Sequence, residues 1–420
     1  MSPSPPRKIR AVFAPGLQPD RISPLGLTSA EYAEATRDAF GLSRDRALRA
    51  YRMLFRGGSA TDLGKAARAA TSLELPELGT VHAEPTNEGT TAKFTLAVDR
   101  PTKGPLARDE RVDKLYTESV IIPMIGSKGN RTYTLCVSSQ VGCAMGCGFC
   151  ETAQMGLIRN LTPEEIVAQW HAATFRSDEP LQETDGRSGA EPVHPGAKRR
   201  IKNIVFMGMG EPMDNPEAVI QAIRVLCDHN GAGVPAAAIT VSTVGRIDGL
   251  ERLAKLVMEP GFHKLGVAVS INAPNDTVRN EIMPINRAMP MGDLREALMA
   301  FPYRARNKFC FEYVLIPGVN DDRVHACELA EYLRPFAGTP DSPVPRGLLN
   351  LIPYNPRRNS PWPAPSEEHV EAFMRWLIEE GVFVKRRRTK GRSQMAACGQ
   401  LGSAEIRKRT LVPLTNSVEG

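Results

Sequence analysis

The sequence predicts an α/β protein, with a parallel sheet closed or partly closed into a barrel and a small helical unit ahead of it. Three observations carry that expectation. From Tyr133 onward, short apolar strand candidates alternate with helical stretches, the pattern of parallel strands joined by crossover helices. Most of those strands run into glycine-rich or polar residues, the composition of site-forming loops at C-terminal strand ends. Up to about Leu75, capped helices dominate and no strand pattern is legible. The 420 residues suffice for one large domain and a smaller one. A hydrophobic share of 42% and a charged share of 24% are ordinary for a chain that buries a core.

Residues 1–24 are proline-rich and aperiodic and read as a flexible arm. Thr28-Ser-Ala-Glu31 is a capping box opening a helix that ends near Phe40-Gly41. Ser43 caps a second helix, with Ala47, Leu48, Tyr51, Leu54 and Phe55 on one face and Gly57-Gly58 as its stop. Arg44, Arg46, Arg49, Arg52 and Arg56 form a basic face, either solvated or phosphate-binding. With its linker, this helical unit covers 25–92. Alternation near Val81–His82, Lys93–Val98 and Ser119–Ile122 predicts antiparallel strands, which over 93–130 bridge to a barrel at 131–395. The barrel strands fall at Tyr133–Val137, Ile201–Met207, Ala238–Val244, Leu265–Ser270, Phe309–Leu315 and Leu348–Ile352. A helix over Ser366–Glu380 and a strand at Val382–Lys385 follow. Thr162-Pro-Glu-Glu165 and Asn215-Pro216 are helix starts. Ser177–Arg200 is polar, with glycines and prolines, and reads as an inserted surface loop. Residues 396–420 form a C-terminal segment.

Chemistry concentrates in Cys143-Ala-Met-Gly-Cys147-Gly-Phe-Cys150, three thiols at C-x3-C-x2-C spacing on one compact loop. Thiolates hold iron–sulfur clusters and zinc. Three protein ligands leave a metal position open to a substrate or cofactor. The competing readings are a structural zinc whose fourth ligand is not visible, and three unrelated core cysteines. Four of the eight cysteines fall between Cys136 and Cys150. That clustering is unlike a secreted disulfide framework and fits a reducing, cytoplasmic compartment. No apolar run approaches bilayer-spanning length, and prolines interrupt any signal-peptide core near the N-terminus. The formal net charge of +6 permits nucleic-acid binding without requiring it.

The stretch Leu135-Cys-Val-Ser-Ser-Gln-Val-Gly-Cys143, with Cys147 and Cys150, runs into Thr152-Ala-Gln and Arg159-Asn-Leu. It resembles the RlmN/Cfr-type radical S-adenosylmethionine RNA (adenine) methyltransferases. The similarity continues, in the family's order, through Met207-Gly-Met-Gly-Glu-Pro212, Val241-Ser-Thr-Val-Gly245, Ser270-Ile-Asn-Ala-Pro-Asn275 and Met283-Pro-Ile-Asn286. It extends through Phe311-Glu-Tyr-Val-Leu315, Gly318-Val-Asn-Asp321, Asn350-Leu-Ile-Pro-Tyr-Asn-Pro356 and Ala396-Ala-Cys-Gly-Gln-Leu401. The resemblance covers about Glu118 to Leu401. It implies a partial (β/α)6 radical SAM barrel with a 4Fe-4S cluster on Cys143, Cys147 and Cys150. It also implies S-adenosyl-L-methionine on the open iron, contacted by Gly210, Glu211, Ser242, Ser270, Ile271, Asn272 and Asn355. Gly208 and Gly210 would let the backbone approach that cofactor, and Glu211 would accept from its amino group. Single polar residues at strand ends are more often caps, so these assignments rest on the resemblance.

The implied reaction methylates an adenine ring carbon, C2 or else C8, in ribosomal or transfer RNA. Cys398 would carry the methyl group as S-methylcysteine. A 5'-deoxyadenosyl radical would take a hydrogen atom from that methyl group. Cys136 would resolve the RNA adduct by a disulfide with Cys398, and Glu118 would accept a proton. Cys227, Cys310 and Cys327 match no motif and read as core or incidental. Lys385-Arg-Arg-Arg-Thr-Lys-Gly-Arg392 lies just upstream of Cys398 and suits an RNA backbone. The implied partners are RNA and an electron donor such as flavodoxin or ferredoxin, with a monomeric chain and no membrane. Two positions depart from the family pattern: Asn272 stands where members often have His, and Ser393-Gln-Met395 where they often have acidic residues. The alternative is the same radical chemistry on another RNA or a non-RNA substrate.

Overall fold

The computed structural model describes residues 21–72, 74–86, 88–100, 114–125, 129, 131–176, 201–304, 307–338, 345–387 and 400–402. Three helices open it: α1 (Ser29–Phe40), α2 (Arg44–Leu54) and a short α3 (Lys65–Ala70) that the sequence did not announce. The capping box of α1 forms as read, with Thr28 and Glu31 exchanging hydrogen bonds and Gly41 left-handed at the C-terminus. Ser43 occupies the N-cap of α2 but makes no side-chain cap bond there. The buried stripe of α2 is Ala47, Ala50, Tyr51 and Leu54; its four arginines are exposed, and so is Arg56 just past its end.

Three antiparallel strands follow, β1 (Leu78–Thr86), β2 (Gly89–Val98) and β3 (Leu115–Ile125). β4 (Arg131–Cys136) pairs antiparallel with β3 and parallel with β7 (Ile201–Phe206), and so starts the barrel. Between β4 and β7 lie the small β5 (Gln140–Gly142), α4 (Glu151–Met155), β6 (Leu157–Asn160) and α5 (Pro163–His171). β5 and β6 pair with each other and bracket the cysteine loop, a hairpin too short to read from alternation. The regular units then continue with α6 (Pro216–Cys227), β8 (Ile239–Thr243), α7 (Ile247–Met258), β9 (Gly266–Ser270), α8 (Asp276–Ile282) and α9 (Met291–Ala300). They end with β10 (Phe309–Leu315), α10 (Arg323–Leu333), β11 (Gly347–Pro353), α11 (Glu367–Glu379) and β12 (Val384–Arg386).

One ten-stranded sheet results, in the order β1-β2-β3-β4-β7-β8-β9-β10-β11-β12. Pairing from β4 to β12 is parallel throughout. Six strands each followed by helix, and a closing β12, match the expected partial (β/α)6 barrel. Residues of β3, β4, β7, β8, β10, β11 and β12 line one interior cavity, so the sheet curls around it. Among the described residues no pairing joins β1 to β12, and the barrel stays open.

The helices are held on by a continuous apolar core outside the barrel. In it the Phe55 ring lies 5.8 Å from Trp170 of α5, and Trp170 meets Phe175 edge-on at 5.9 Å. The Ser29 N–H donates to Asp228 at the end of α6 at 2.6 Å, fixing the start of α1. Asn215, read as a cap of α6, makes no such bond; its amide donates to the carbonyls of Ser139 and Leu161 instead. Ile22 is buried and its backbone bridges to Thr71. The insertion at Ser177–Arg200 lies outside the described residues. No helix among the described residues is long and apolar enough to cross a membrane.

Candidate active site

The cysteine loop leaves β5 at Gly142, which is left-handed at φ 75°, and a Cβ there would run into the carbonyl of Gly156. Only glycine fits both conditions. Cys143 N–H donates to that same carbonyl at 3.0 Å, and Gly148 N–H to Ile282 at 2.9 Å. The buried Arg357 reaches in from beyond β11 and donates Nε to the Gly148 carbonyl at 2.8 Å. Thus fixed, Cys143, Cys147 and Cys150 line one cleft at the C-terminal ends of the strands. Burial pushes all three thiols above their ordinary range. Such thiols bind metal by releasing protons. Among the described residues no group of three Cys, His, Asp or Glu stands ready for a single metal ion. Thiolates are the ligands that hold an iron–sulfur cluster.

Gly208, Gly210 and Glu211, on the loop after β7, line the same cleft. Their glycines answer first to the protein itself. A Cβ on Gly208 would sit 2.6 Å from Ser138 Oγ and 2.7 Å from the Val137 carbonyl. Gly210 has φ 97°, and a Cβ there would stand 2.5 Å from that of Gln140. The close approach to the segment after β4 therefore suffices to require them. Gln140 in turn accepts the Glu211 N–H at 2.9 Å. The Glu211 carboxylate accepts from Met213 N–H at 2.9 Å and Val244 N–H at 2.8 Å. Burial raises its pKa from 4.5 to about 7, against the lowering effect of those two N–H donors.

Ser242, Ser270, Asn272 and Asn355 all line the cleft, but Ile271 does not. Ile271 is fully buried, and its carbonyl accepts from Arg279 Nε at 3.1 Å. Asn272 is left-handed at φ 55°, a conformation that asparagine tolerates better than most residues. Its Oδ1 accepts the Val314 N–H at 3.0 Å, and its carbonyl accepts from Asn320 at 2.8 Å. The side chain thus ties β9 to β10, a structural use that the family departure did not disclose.

Two charged residues of the site escaped sequence reasoning. Arg279 is fully buried; it donates to the carbonyls of Val244, Ser270 and Ile271 and to Asn286, placing a cation at the ends of β8 and β9 near Cys147. Nothing in its short, mixed helix marks it. Glu312 does carry a signal, a lone acid inside the apolar run Phe309–Leu315. It is buried, accepts from Arg387 Nη1 at 3.2 Å, and lines the cleft near Ser242.

Met207, Glu312, Ile352 and Asn355 line both this cleft, of about 150 Å³, and the barrel cavity, of about 570 Å³. Cys136 lies at the end of β4 and lines the larger space, together with Leu401. Glu118 on β3 stands 3.6 Å from Lys93 Nζ and accepts the Gly402 N–H at 3.2 Å. Thr152 Oγ1 donates to the Leu401 carbonyl at 2.5 Å and Gln400 Nε2 to that of Pro356 at 3.2 Å. The C-terminal motif is therefore fastened beside Glu118 and the helix after the cysteine loop. Cys398 itself lies outside the described residues, as do Ser393–Met395 and the basic run beyond Arg387, so the expected Cys136–Cys398 disulfide is not supported.

Three thiols, two of them buried and one half-buried, beside a glycine-shaped cleft at the C-terminal mouth of a partial parallel barrel define a radical S-adenosylmethionine enzyme. No family model matches the chain. The chain is 36% identical to the dual-specificity RNA methyltransferase RlmN of Nitratidesulfovibrio vulgaris over 399 residues, 92% of this chain and 95% of that one. It is 36% identical to the protein of that name from Lawsonia intracellularis over 352 residues, 82% and 84% of the two chains. A crystal structure of a radical SAM methyltransferase from Sphaerobacter thermophilus superposes with a TM-score of 0.71 at 34% identity, covering 91% of this chain and 99% of that one. The chain belongs to the RlmN-type family of radical SAM methyltransferases. It is a transferase whose cofactors are a 4Fe-4S cluster and S-adenosylmethionine. The donor set fits: three cysteine thiols for the cluster, and carboxylate, carboxamide and hydroxyl groups around the cleft.

Proposed function

We propose that this enzyme methylates an adenine ring carbon in RNA, C2 or else C8, with 23S ribosomal RNA as substrate and transfer RNA as a second one. The relatives' shared name supports RNA as the substrate class. The observation that carries the reading is the junction of the two cavities. The thiols of Cys143, Cys147 and Cys150 line one, Cys136 and the start of the fastened C-terminal motif line the other, and four residues are common to both.

Cys143, Cys147 and Cys150 hold the cluster, and Gly210, Glu211, Ser242, Ser270, Asn272 and Asn355 hold S-adenosylmethionine; Ile271, outside the cleft, has its N–H on the Glu312 carbonyl and its carbonyl on Arg279. When bound, the pair supplies a 5'-deoxyadenosyl radical able to remove a hydrogen atom from a methyl group. Cys398, as thiolate, accepts that methyl group beforehand: its sulfur bonds to the carbon as the bond to the sulfonium breaks. Adenine C2 is electron-poor, so a carbon radical carried on Cys398 can add where an ordinary methyl donor cannot. In this reading Glu118 takes the ring proton and Cys136 releases the methylated base. Arg44, Arg46, Arg49 and Arg52 on α2 and Arg56 just past it, with the basic run from Lys385, supply charge for an RNA backbone.

We further propose a working division into a helical unit at 25–92, bridging strands at 93–130, the barrel at 131–395 and the C-terminal segment at 396–420. A flavodoxin or ferredoxin is the proposed electron donor to a cytoplasmic monomer. Nucleosides from the RNA of cells with and without the gene, compared by mass spectrometry, test the reading. A methyladenosine lost on deletion and restored by the gene is expected. Identical nucleoside profiles would direct the search to another substrate.

A further inference from the structure

Arg279 on α8 is a fully buried cation whose hydrogen-bond partners among the described residues are all neutral. Its Nε donates to the Ile271 carbonyl at 3.1 Å and its Nη1 to Asn286 Oδ1 at 2.9 Å. Its Nη2 donates to the carbonyls of Val244 at 2.6 Å and Ser270 at 3.3 Å. The Asp276 carboxylate reaches it only through Asn286, whose amide donates to Asp276 Oδ1 at 2.8 Å, and Asp276 is exposed. Tyr332, also near the guanidinium, keeps its hydroxyl proton and gives it to the Met291 carbonyl at 3.1 Å.

A cation left inside a protein without a buried anion is strongly unfavourable. Neutral donors can bind carbonyls, so hydrogen bonding alone is a weak reason for a full charge here. The neighbours of α8 show where an anion belongs. Val244 and Ser270 line the cleft with Cys143, Cys147 and Cys150, so the guanidinium lies behind the wall that faces the three thiols. The same helix and the turn after it hold the cysteine loop. Ile282 accepts the Gly148 N–H, Pro284 stands 3.5 Å from a Cβ built at Gly146, and Ile282 and Met283 pack with Cys143 and Cys147. Arg279 and Cys147 interact electrostatically. Three thiolates outweigh the positive charge of an oxidised 4Fe-4S core, and an added electron increases the excess. A fixed cation behind them therefore favours the reduced cluster, since net charge is among the properties that set its potential.

We propose that Arg279 is the counter-cation of the cluster, a permanent charge behind the cleft wall that raises the cluster's midpoint potential. This rests on the reading of Cys143, Cys147 and Cys150 as cluster ligands. The test is a titration of reconstituted enzyme with dithionite and redox mediators, without S-adenosylmethionine. Electron paramagnetic resonance follows the one-electron-reduced cluster, and iron and sulfide contents and circular dichroism verify loading and folding. Arg279→Gln removes the charge and keeps hydrogen-bond donors, whereas Arg279→Lys keeps the charge and loses the planar fork. The double exchange Asp276→Asn/Asn286→Asp leaves net charge unchanged but brings a carboxylate from the exposed rim onto Arg279. It keeps the test open where Arg279→Gln fails to fold.

Arg279→Gln should lower the reduction equilibrium about tenfold or more, a fall of about 59 mV for a one-electron couple. The double exchange should shift the potential in the same direction, and Arg279→Lys should keep most of the wild-type value. An unchanged potential in loaded, folded Arg279→Gln or in the double exchange overturns the inference. So does an equal fall in Arg279→Lys and Arg279→Gln, which would assign Arg279 to the hydrogen-bonded clamp alone. Wild type that takes up no iron and sulfide, or Cys147→Ala with the full wild-type cluster signal, fails the ligand reading instead, before any Arg279 variant is made.

Discussion

Replacing Glu211 by glutamine tests how the cleft wall is built. The carboxyl is 2% exposed, and its pKa rises from 4.5 to about 7 because burial penalises the charge more than two backbone N–H donors relieve it. Below pH 4.5 the group is protonated in both folded and unfolded chains, and it adds no pH dependence. Between 4.5 and 7 the unfolded chain releases the proton while the folded chain keeps it, so stability falls as pH rises, by about 1.4 kcal/mol per pH unit. Above 7 both forms are ionised and the loss levels off near about 3 kcal/mol. Glutamine abolishes the titration. Its amide still accepts one N–H but turns a donor toward the other, a pH-independent cost of about 1–3 kcal/mol. Urea denaturation of cluster-free wild type and Glu211→Gln from pH 4.5 to 8 gives the difference directly, because Glu312 and the other buried groups cancel. The advantage of wild type over variant should shrink by about 3 kcal/mol between pH 4.5 and 7 and then stay constant. Parallel curves across that range would refute the buried, proton-holding carboxyl.

Gly210→Ala forces a side chain into φ 97° and onto Gln140; a cost of about 1–3 kcal/mol in denaturant is expected, with weakened S-adenosylmethionine binding by dialysis. Asn272→Ala leaves the Val314 N–H without its acceptor and should cost about 1–3 kcal/mol, whereas Asn272→Gly should recover the part due to the left-handed backbone. Trp170→Ala empties the contact between α2 and α5 and should cost about 3–5 kcal/mol by denaturant titration. Thr28→Ala removes one half of the capping box, with a loss of about 1 kcal/mol read the same way.

The barrel was legible because its strands announce themselves twice, by apolar runs and by the residues that stop them. Phe309–Leu315 was placed to the residue, and the other barrel strands to within one or two. The antiparallel strands were read as fragments, since β2 is buried on successive positions rather than alternate ones. Helix α3 has six residues and little amphipathic signal. At the site, the glycines and thiols were visible from spacing. Arg279, in a mixed helix, became visible only when packing placed it against strand-end carbonyls, and the lone acid Glu312 took on a role only with Arg387, because charge inside an apolar segment has no fixed meaning until its partner is known. Asn272 shows the converse: a departure from the family pattern is explained by a backbone angle and a single hydrogen bond.

The barrel is hollow where many parallel barrels are packed with interlocking side chains. Thr134, Asn203, Thr240 and Asn350 face its cavity and fill no close-packed volume, while the dense core lies outside, between strands and helices. Substitutions on the inner wall therefore leave the outer packing intact, whereas those on the outer side open voids. Heritable variation can therefore accumulate on the cavity wall while the packing that holds the cysteine loop stays intact. A lineage of such enzymes can change its target without first rebuilding its fold.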